Sequence, residues 1–336
     1  MDALKSLKNG IIRAFTYPQP FNWGYPVFFG ALGMGVAFLL LKALFTLPFP
    51  VSSTSLIGCA VSVLVIVLFS FVIPSVLLAE KGGLNITGRY TGIGALILAF
   101  LSGAPLFLVK AAFRNLFIVL WFKLGGSAIF PSVFYYVEEQ TGLMLLLEIL
   151  ADTVIPAFGF ALFFYGAVWK GFSDKSRRWA FVIIPILLAM FSFDVFNVVG
   201  ILVIGWWLCI LRDRTENIYA PILSLIGARF TGILIDSVVV ELDITSIKIF
   251  SDIPNTIYYS AVPALIVAVI LLAFFRKALD EFHISYSADV YGDSDIQDEL
   301  KGRGGDGFMS GVNLTLVLGI IFCFTLWIVL FNGVRI

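Results

Sequence analysis

Charge is what this 336-residue chain has least of: 13% of its residues are Asp, Glu, Lys or Arg, against about 25% in ordinary soluble domains. Its 22 bases balance 22 acids, so no net field recruits nucleic acid or an anionic surface. Histidine occurs once, at His283, which excludes any site that needs two imidazoles. The three cysteines, Cys59, Cys209 and Cys323, lie far apart inside apolar runs. They match no metal-ligand spacing and no disulfide framework, and packing accounts for them. No metal and no cofactor is expected.

What is abundant is apolar. Hydrophobic residues make up 60% of the chain, 34 of them Phe, and mean hydropathy is +1.00. A bilayer core takes about 20 apolar residues per helix, and eight segments qualify: 25–47, 56–79, 91–109, 142–169, 179–199, 217–239, 255–275 and 312–332. The shorter run 200–211 reads as a ninth, tilted span. In 111–136, Lys110, Arg114 and Lys123 punctuate an aromatic stretch at helical spacing. That pattern predicts an amphipathic helix lying in the interface, in preference to a tenth span. Met1 to Gln19 has no apolar stretch fit for a cleaved leader and predicts a short amphipathic helix.

With the N-terminus in the cytoplasm, nine spans place Lys5, Lys8, Arg13, Lys81, Arg89, Lys170, Lys175, Arg177, Arg178, Arg212, Arg214, Arg276, Lys277, Lys301 and Arg303 inside. They are 15 of the 22 bases, as the positive-inside rule requires. The expected setting is a bacterial or archaeal cytoplasmic membrane. Three parts follow: N-terminal membrane segments over 1–137 (three spans and the amphipathic helix), a helical core over 138–240, and C-terminal spans over 241–336. The last part holds a cytoplasmic loop at 276–311, whose acids, from Asp289 to Glu299, do not fit a calcium loop.

One stretch carries a motif. Residues 205–222 read GWWLCILRDRTENIYAPI. A charged turn closes one helix at Leu211, Asn217 can cap the next, and Pro221 falls in its first turn, where a missing N–H costs nothing. Gly205, Asp213, Arg214, Thr215, Tyr219, Ala220, Pro221 and Ile222 resemble a segment of the CAAX-protease and bacteriocin-processing (CPBP) intramembrane protease family. Residues 155–166 and 179–193 resemble two more of its helices, so the similarity spans about 142–235. It implies an all-α membrane helix bundle of about eight or nine spans with a CPBP-like core.

The resemblance also implies a catalytic set: adjacent glutamates, an arginine and histidines on two later helices, activating water for peptide hydrolysis. Here the glutamates fall on Phe160 and Ala161 and the arginine on Tyr165. The first histidine falls on Asp194 or Val195, the second on Leu225, and the last polar partner on Arg229. No catalytic residue is expected. The pair Glu138–Glu139 heads a span and has Leu143 where an arginine is required.

A different polar set sits within the spans: Glu148, Asp152, Asp194, Arg229 and Asp236, with Asn197 beside Asp194. Intramembrane charges are costly unless paired. One reading has Arg229 paired with Asp194 or Asp236, holding three helices in register. Another is an outward-open acidic cavity for a cation. The functions in view are a pseudoprotease-like membrane protein that binds another membrane protein or peptide, a cation-binding transporter, and a protease with unorthodox residues. The bilayer is the certain partner; nucleic acid is not one.

Overall fold

In the computed structural model, the residues described are 23–46, 55–82, 85–88, 91–125, 143–172, 177–235, 239, 242, 247, 250–254, 256–290 and 314–331. The expected N-terminal helix, Glu138–Glu139, Asp236 and the acidic run from Asp293 to Glu299 lie outside them.

Among the described residues, ten helices form nine rods. Helix α1 is Gly24–Thr46, and α2 runs as Leu56–Val67, a π-helical turn Leu68–Val72 and Ile73–Gly82. Helices α3 (Ile93–Leu101) and α4 (Gly103–Lys123) form one bent rod, broken at Ser102. Helix α5 alternates between α and π: Leu143–Ile149, Leu150–Val154, Ile155–Phe160 and Ala161–Val168. Then follow α6 (Arg177–Ser192), α7 (Val198–Thr215), α8 (Tyr219–Ile235), α9 (Thr256–Val290) and α10 (Leu314–Phe331). Gly24–Thr46, Leu56–Glu80, Ile93–Lys123, Met144–Val168 and Tyr259–Glu281 are long and apolar enough to cross a membrane. The protein is an all-α integral membrane helix bundle.

Two of the three π turns have a local cause. A proline has no N–H and its ring clashes with the carbonyl four residues back. Pro74 would strike the carbonyl of Ser70, and Pro156 that of Asp152; both carbonyls lie inside π turns, Leu68–Val72 and Leu150–Val154. Widening the turn relieves the clash without breaking the helix.

Helix α4 is the centre of the bundle, packing against α7, α8 and α9. This corrects the expectation for 111–136. Over 111–123 the chain continues the helix of the third span, with Ala111, Ala112, Asn115, Ile118, Val119 and Phe122 buried, and 126–136 lie outside the described residues. Its crossing with α8 is made by small residues, as membrane helices prefer. A Cβ on Gly227 would stand 2.0 Å from the carbonyl oxygen of Phe100, and one on Gly103 2.3 Å from the amide nitrogen of Ala228. Buried Ser102 and Ser224 hydrogen-bond there at 3.0 Å, and Trp207 Nε1 donates to Ser102 at 3.1 Å.

The expected loop at 276–311 is also corrected over its first half, because α9 continues unbroken to Val290. Its 35 residues span roughly 52 Å at 1.5 Å each, more than a bilayer core. The projecting end is tied back through Arg214 Nε and Asp280 Oδ1 at 2.9 Å.

Candidate functional site

Helix α5 carries two contrasting regions. Toward its C-terminal end, where the resemblance aligns the catalytic acids and arginine, Ala161 and Tyr165 are fully buried and Phe160 is half-buried. Phenylalanine rings fill the space around them. Phe71 of α2 meets Phe160 at 5.1 Å, Phe163 at 5.3 Å, Phe164 at 5.8 Å and Phe191 of α6 at 5.9 Å between centroids. Phe163 and Phe164 stand perpendicular at 4.9 Å. Such edge-to-face pairs pack a dry interior. The hydroxyl of Tyr165 donates to the carbonyl of Gly205 at 3.3 Å, and its own carbonyl accepts from Arg212 Nε at 2.8 Å.

About 12 Å from Phe160 along the same helix, at 1.5 Å per residue, a charged cluster begins. Glu148 and Asp152, four residues apart, share a face. Both receive Arg229 of α8: Nη2 lies 3.0 Å from Glu148 Oε1 and 3.1 Å from Asp152 Oδ2. The three side chains are 35% (Arg229), 19% (Glu148) and 39% (Asp152) exposed, so the group opens laterally on the bundle. Thr153 donates to Asp152 Oδ1 at 2.6 Å.

The expected partner Asp194 is not used by Arg229. Asp194 lies beyond the end of α6, where Phe193 takes a left-handed φ of 49°. Its carboxylate accepts from Asn197, from Nδ2 at 2.5 Å and the backbone N–H at 3.3 Å. Asp194 feels the charges of Arg114 and Lys110, and Asp152 that of Lys110. The physical reason is that α8 leans on α5, while Asp194 faces the cations of α4.

At Arg229 itself two carboxylates meet one guanidinium, so this pairing keeps one negative charge in excess. No three His, Cys, Asp or Glu side chains among the described residues are grouped as metal ligands. The aligned catalytic positions offer Phe, Ala, Tyr, Leu and Arg with a single carboxylate, Asp194, which is bound to Asn197, and Glu148 and Asp152 already hold a guanidinium. These residues do not fit a catalytic metal.

The 205–222 stretch is a clasp at the other end of the bundle. Arg212 reaches Tyr165, Asp213 reaches Arg177 at 3.6 Å, and Arg214 reaches Asp280. Thr91 donates to the carbonyl of Thr215 at 2.6 Å, and Ile218 N–H to that of Thr87 at 3.1 Å. Asn217 Oδ1 accepts from Tyr219 N–H at 2.7 Å, the cap expected at the start of α8. Gly205 lets α6 come close: a Cβ there would stand 2.8 Å from Pro185 Cα.

An all-α membrane bundle with helices α5 to α8 arranged around this clasp is the class the fold defines. Residues 142–230 match the family model described as Type II CAAX prenyl endopeptidase Rce1-like, and this places the resemblance within the CPBP intramembrane protease group over that stretch. No curated protein and no solved structure matches the chain.

Proposed function

We propose that the chain is a non-catalytic relative of the CAAX prenyl endopeptidases, holding another membrane protein or peptide rather than cutting it. The observation that carries this is the filling of the aligned catalytic positions. Water activation needs a carboxylate or imidazole within about 3 Å of the reacting water. Phe160, Ala161, Tyr165 and Leu225 supply neither, the one aligned carboxylate, Asp194, is bound to Asn197, and the rings of Phe71, Phe163, Phe164 and Phe191 leave the space around the aligned acids apolar. Glu148 and Asp152 are the nearby carboxylates on α5, and Arg229 holds both. A guanidinium-bound carboxylate is a poor base, and the guanidinium occupies the oxygens that a divalent cation would need.

The clasp and the small-residue crossing of α4 with α8 support the other half of the reading, because the frame is kept while the chemistry is replaced. The test uses the full chain in vesicles with a prenylated peptide ending in a CAAX-type tripeptide. The expected result is no release of the tripeptide, together with concentration-dependent crosslinking of a photoreactive form of the uncut peptide. Release that is lost in Glu148→Gln overturns the proposal and relocates the active site to the charged cluster.

A further inference from the structure

The C-terminal end of α5 and the start of α6 lie at the clasp end of the bundle, and nothing above uses Lys170 or Arg178. Over 170–178 the sequence holds Lys170, Lys175, Arg177 and Arg178 against Asp174 alone. Lys170 and Arg178 are exposed. Arg177 is held in place, with its guanidinium 5.8 Å from the Trp169 ring centroid and 3.6 Å from Asp213. A cation over an indole keeps its charge while losing freedom of movement. Three cations at these two helix ends, with Arg177 pre-oriented by Asp213 and Trp169, form an anion-binding head.

Below that head, α6 presents an apolar stripe. Trp179, Val182 and Ile186 are 49%, 51% and 46% exposed, and their spacing of three and four puts them on one helix face. Arg178 adjoins the top of that stripe. From Arg178 to Ile186 is about 12 Å along the axis. Tryptophan is at home at headgroup level. The order along this face is cation, indole, then aliphatic side chains, which is the order of phosphate, glycerol and acyl chain in a lipid.

We infer that the outer face of α6, headed by Lys170, Arg177 and Arg178, is a binding site for one anionic phospholipid. The phosphodiester sits at Lys170, Arg177 and Arg178, and an acyl chain lies along Trp179, Val182 and Ile186. Each cation near a membrane surface contributes about a five-fold preference for an anionic headgroup.

Native mass spectrometry of the full chain in micelles with equal phosphatidylglycerol and phosphatidylcholine of the same chains tests this. The wild type is expected to retain one phosphatidylglycerol preferentially. Lys170→Gln with Arg178→Gln should weaken that preference about 25-fold, whereas Arg178→Lys should keep it. Arg276→Gln with Lys277→Gln, which removes two cations from the same end of the bundle, should leave it unchanged. A thermal-shift titration of the wild type with the two lipids needs no variant, and phosphatidylglycerol should stabilise more. Equal retention or equal stabilisation by the two lipids overturns the site. So does an equal loss in the 276/277 variant, which would mean diffuse surface charge. Displacement of the lipid by millimolar inorganic phosphate overturns the acyl-chain part and leaves only a phosphate site.

Discussion

The two regions of α5 are made from opposite materials and are held by opposite kinds of force. Around Phe163 and Phe164 every contact is dispersion between rings, individually small and indifferent to charge. Around Asp152 a few charged atoms carry the interaction, and each is worth little unless its partner is present. In the family the sequence resembles, the acids belong in the first region. Here the first region is apolar, and the acids of this helix lie roughly 16–24 Å along it, both held by one arginine. The comparison teaches that one membrane helix can hold both an aromatic core and a charged contact, each with its own kind of cohesion.

The hardest blow to that comparison is to put an acid back where the family has one. Ala161 is fully buried and has phenylalanine rings on neighbouring turns. Ala161→Glu introduces a carboxylate with no partner there, and an uncompensated buried charge costs about 3–5 kcal/mol. Thermal unfolding in detergent should show a large loss, or no folded protein should be recovered. A variant as stable as the wild type would mean that the core is hydrated and open to a catalytic group.

The charged region can be broken from its cationic side. Arg229→Leu strands Glu148 and Asp152. The three side chains are partly exposed, so the effect falls below that of a fully buried pair, at about 1–3 kcal/mol. Removing all three charges, with Arg229→Leu, Glu148→Leu and Asp152→Leu together, should be milder than Arg229→Leu alone. Arg229→Leu with Asp194→Leu should be additive to within about 0.5 kcal/mol, because the two side chains share no bond. Coupling between Arg229 and Asp194 above that, measured by the same unfolding assay, would mean that the cluster is one network.

This pairing marks where sequence reasoning ended. Span positions were legible because about 20 apolar residues in a row admit few alternatives. The cap at Asn217 was legible because capping is local, but the helix expected to close at Leu211 carries its charged residues on to Thr215. Arg229 was legible as a charge in need of a carboxylate, but which carboxylate depends on how α8 leans, and periodicity carries no such information. Helix α4 failed for a related reason. Lys110 and Arg114 look like a wet face when read along one helix, and the packing of α4 against α7, α8 and α9 is not written in that helix. The projecting end of α9 was misjudged because Arg276, Lys277, Asp280 and Glu281 argue against a membrane, not against a helix.

The smallest test concerns the frame that both regions share. Glu216 follows the last residue of α7 and adopts φ 51°, ψ 21°, the left-handed region. A side chain there costs about 1–2 kcal/mol, which is why glycine is the usual residue at this helix-ending position. The family segment that 205–222 resembles has glycine in the corresponding place. Glu216 also acts electrostatically on the buried Arg212, so replacing it changes two things at once. Comparing Glu216→Gly with Glu216→Ala separates them, because both remove the carboxylate and only one removes the strain. Glycine gives back part of its advantage through the greater freedom of the unfolded chain. The Gly variant should therefore be more stable than the Ala variant by about 0.5–1 kcal/mol. Equal stabilities would mean that the turn relaxes when its carboxylate goes. The left-handed residue would then be held by the Arg212 interaction, not imposed by the fold of the clasp.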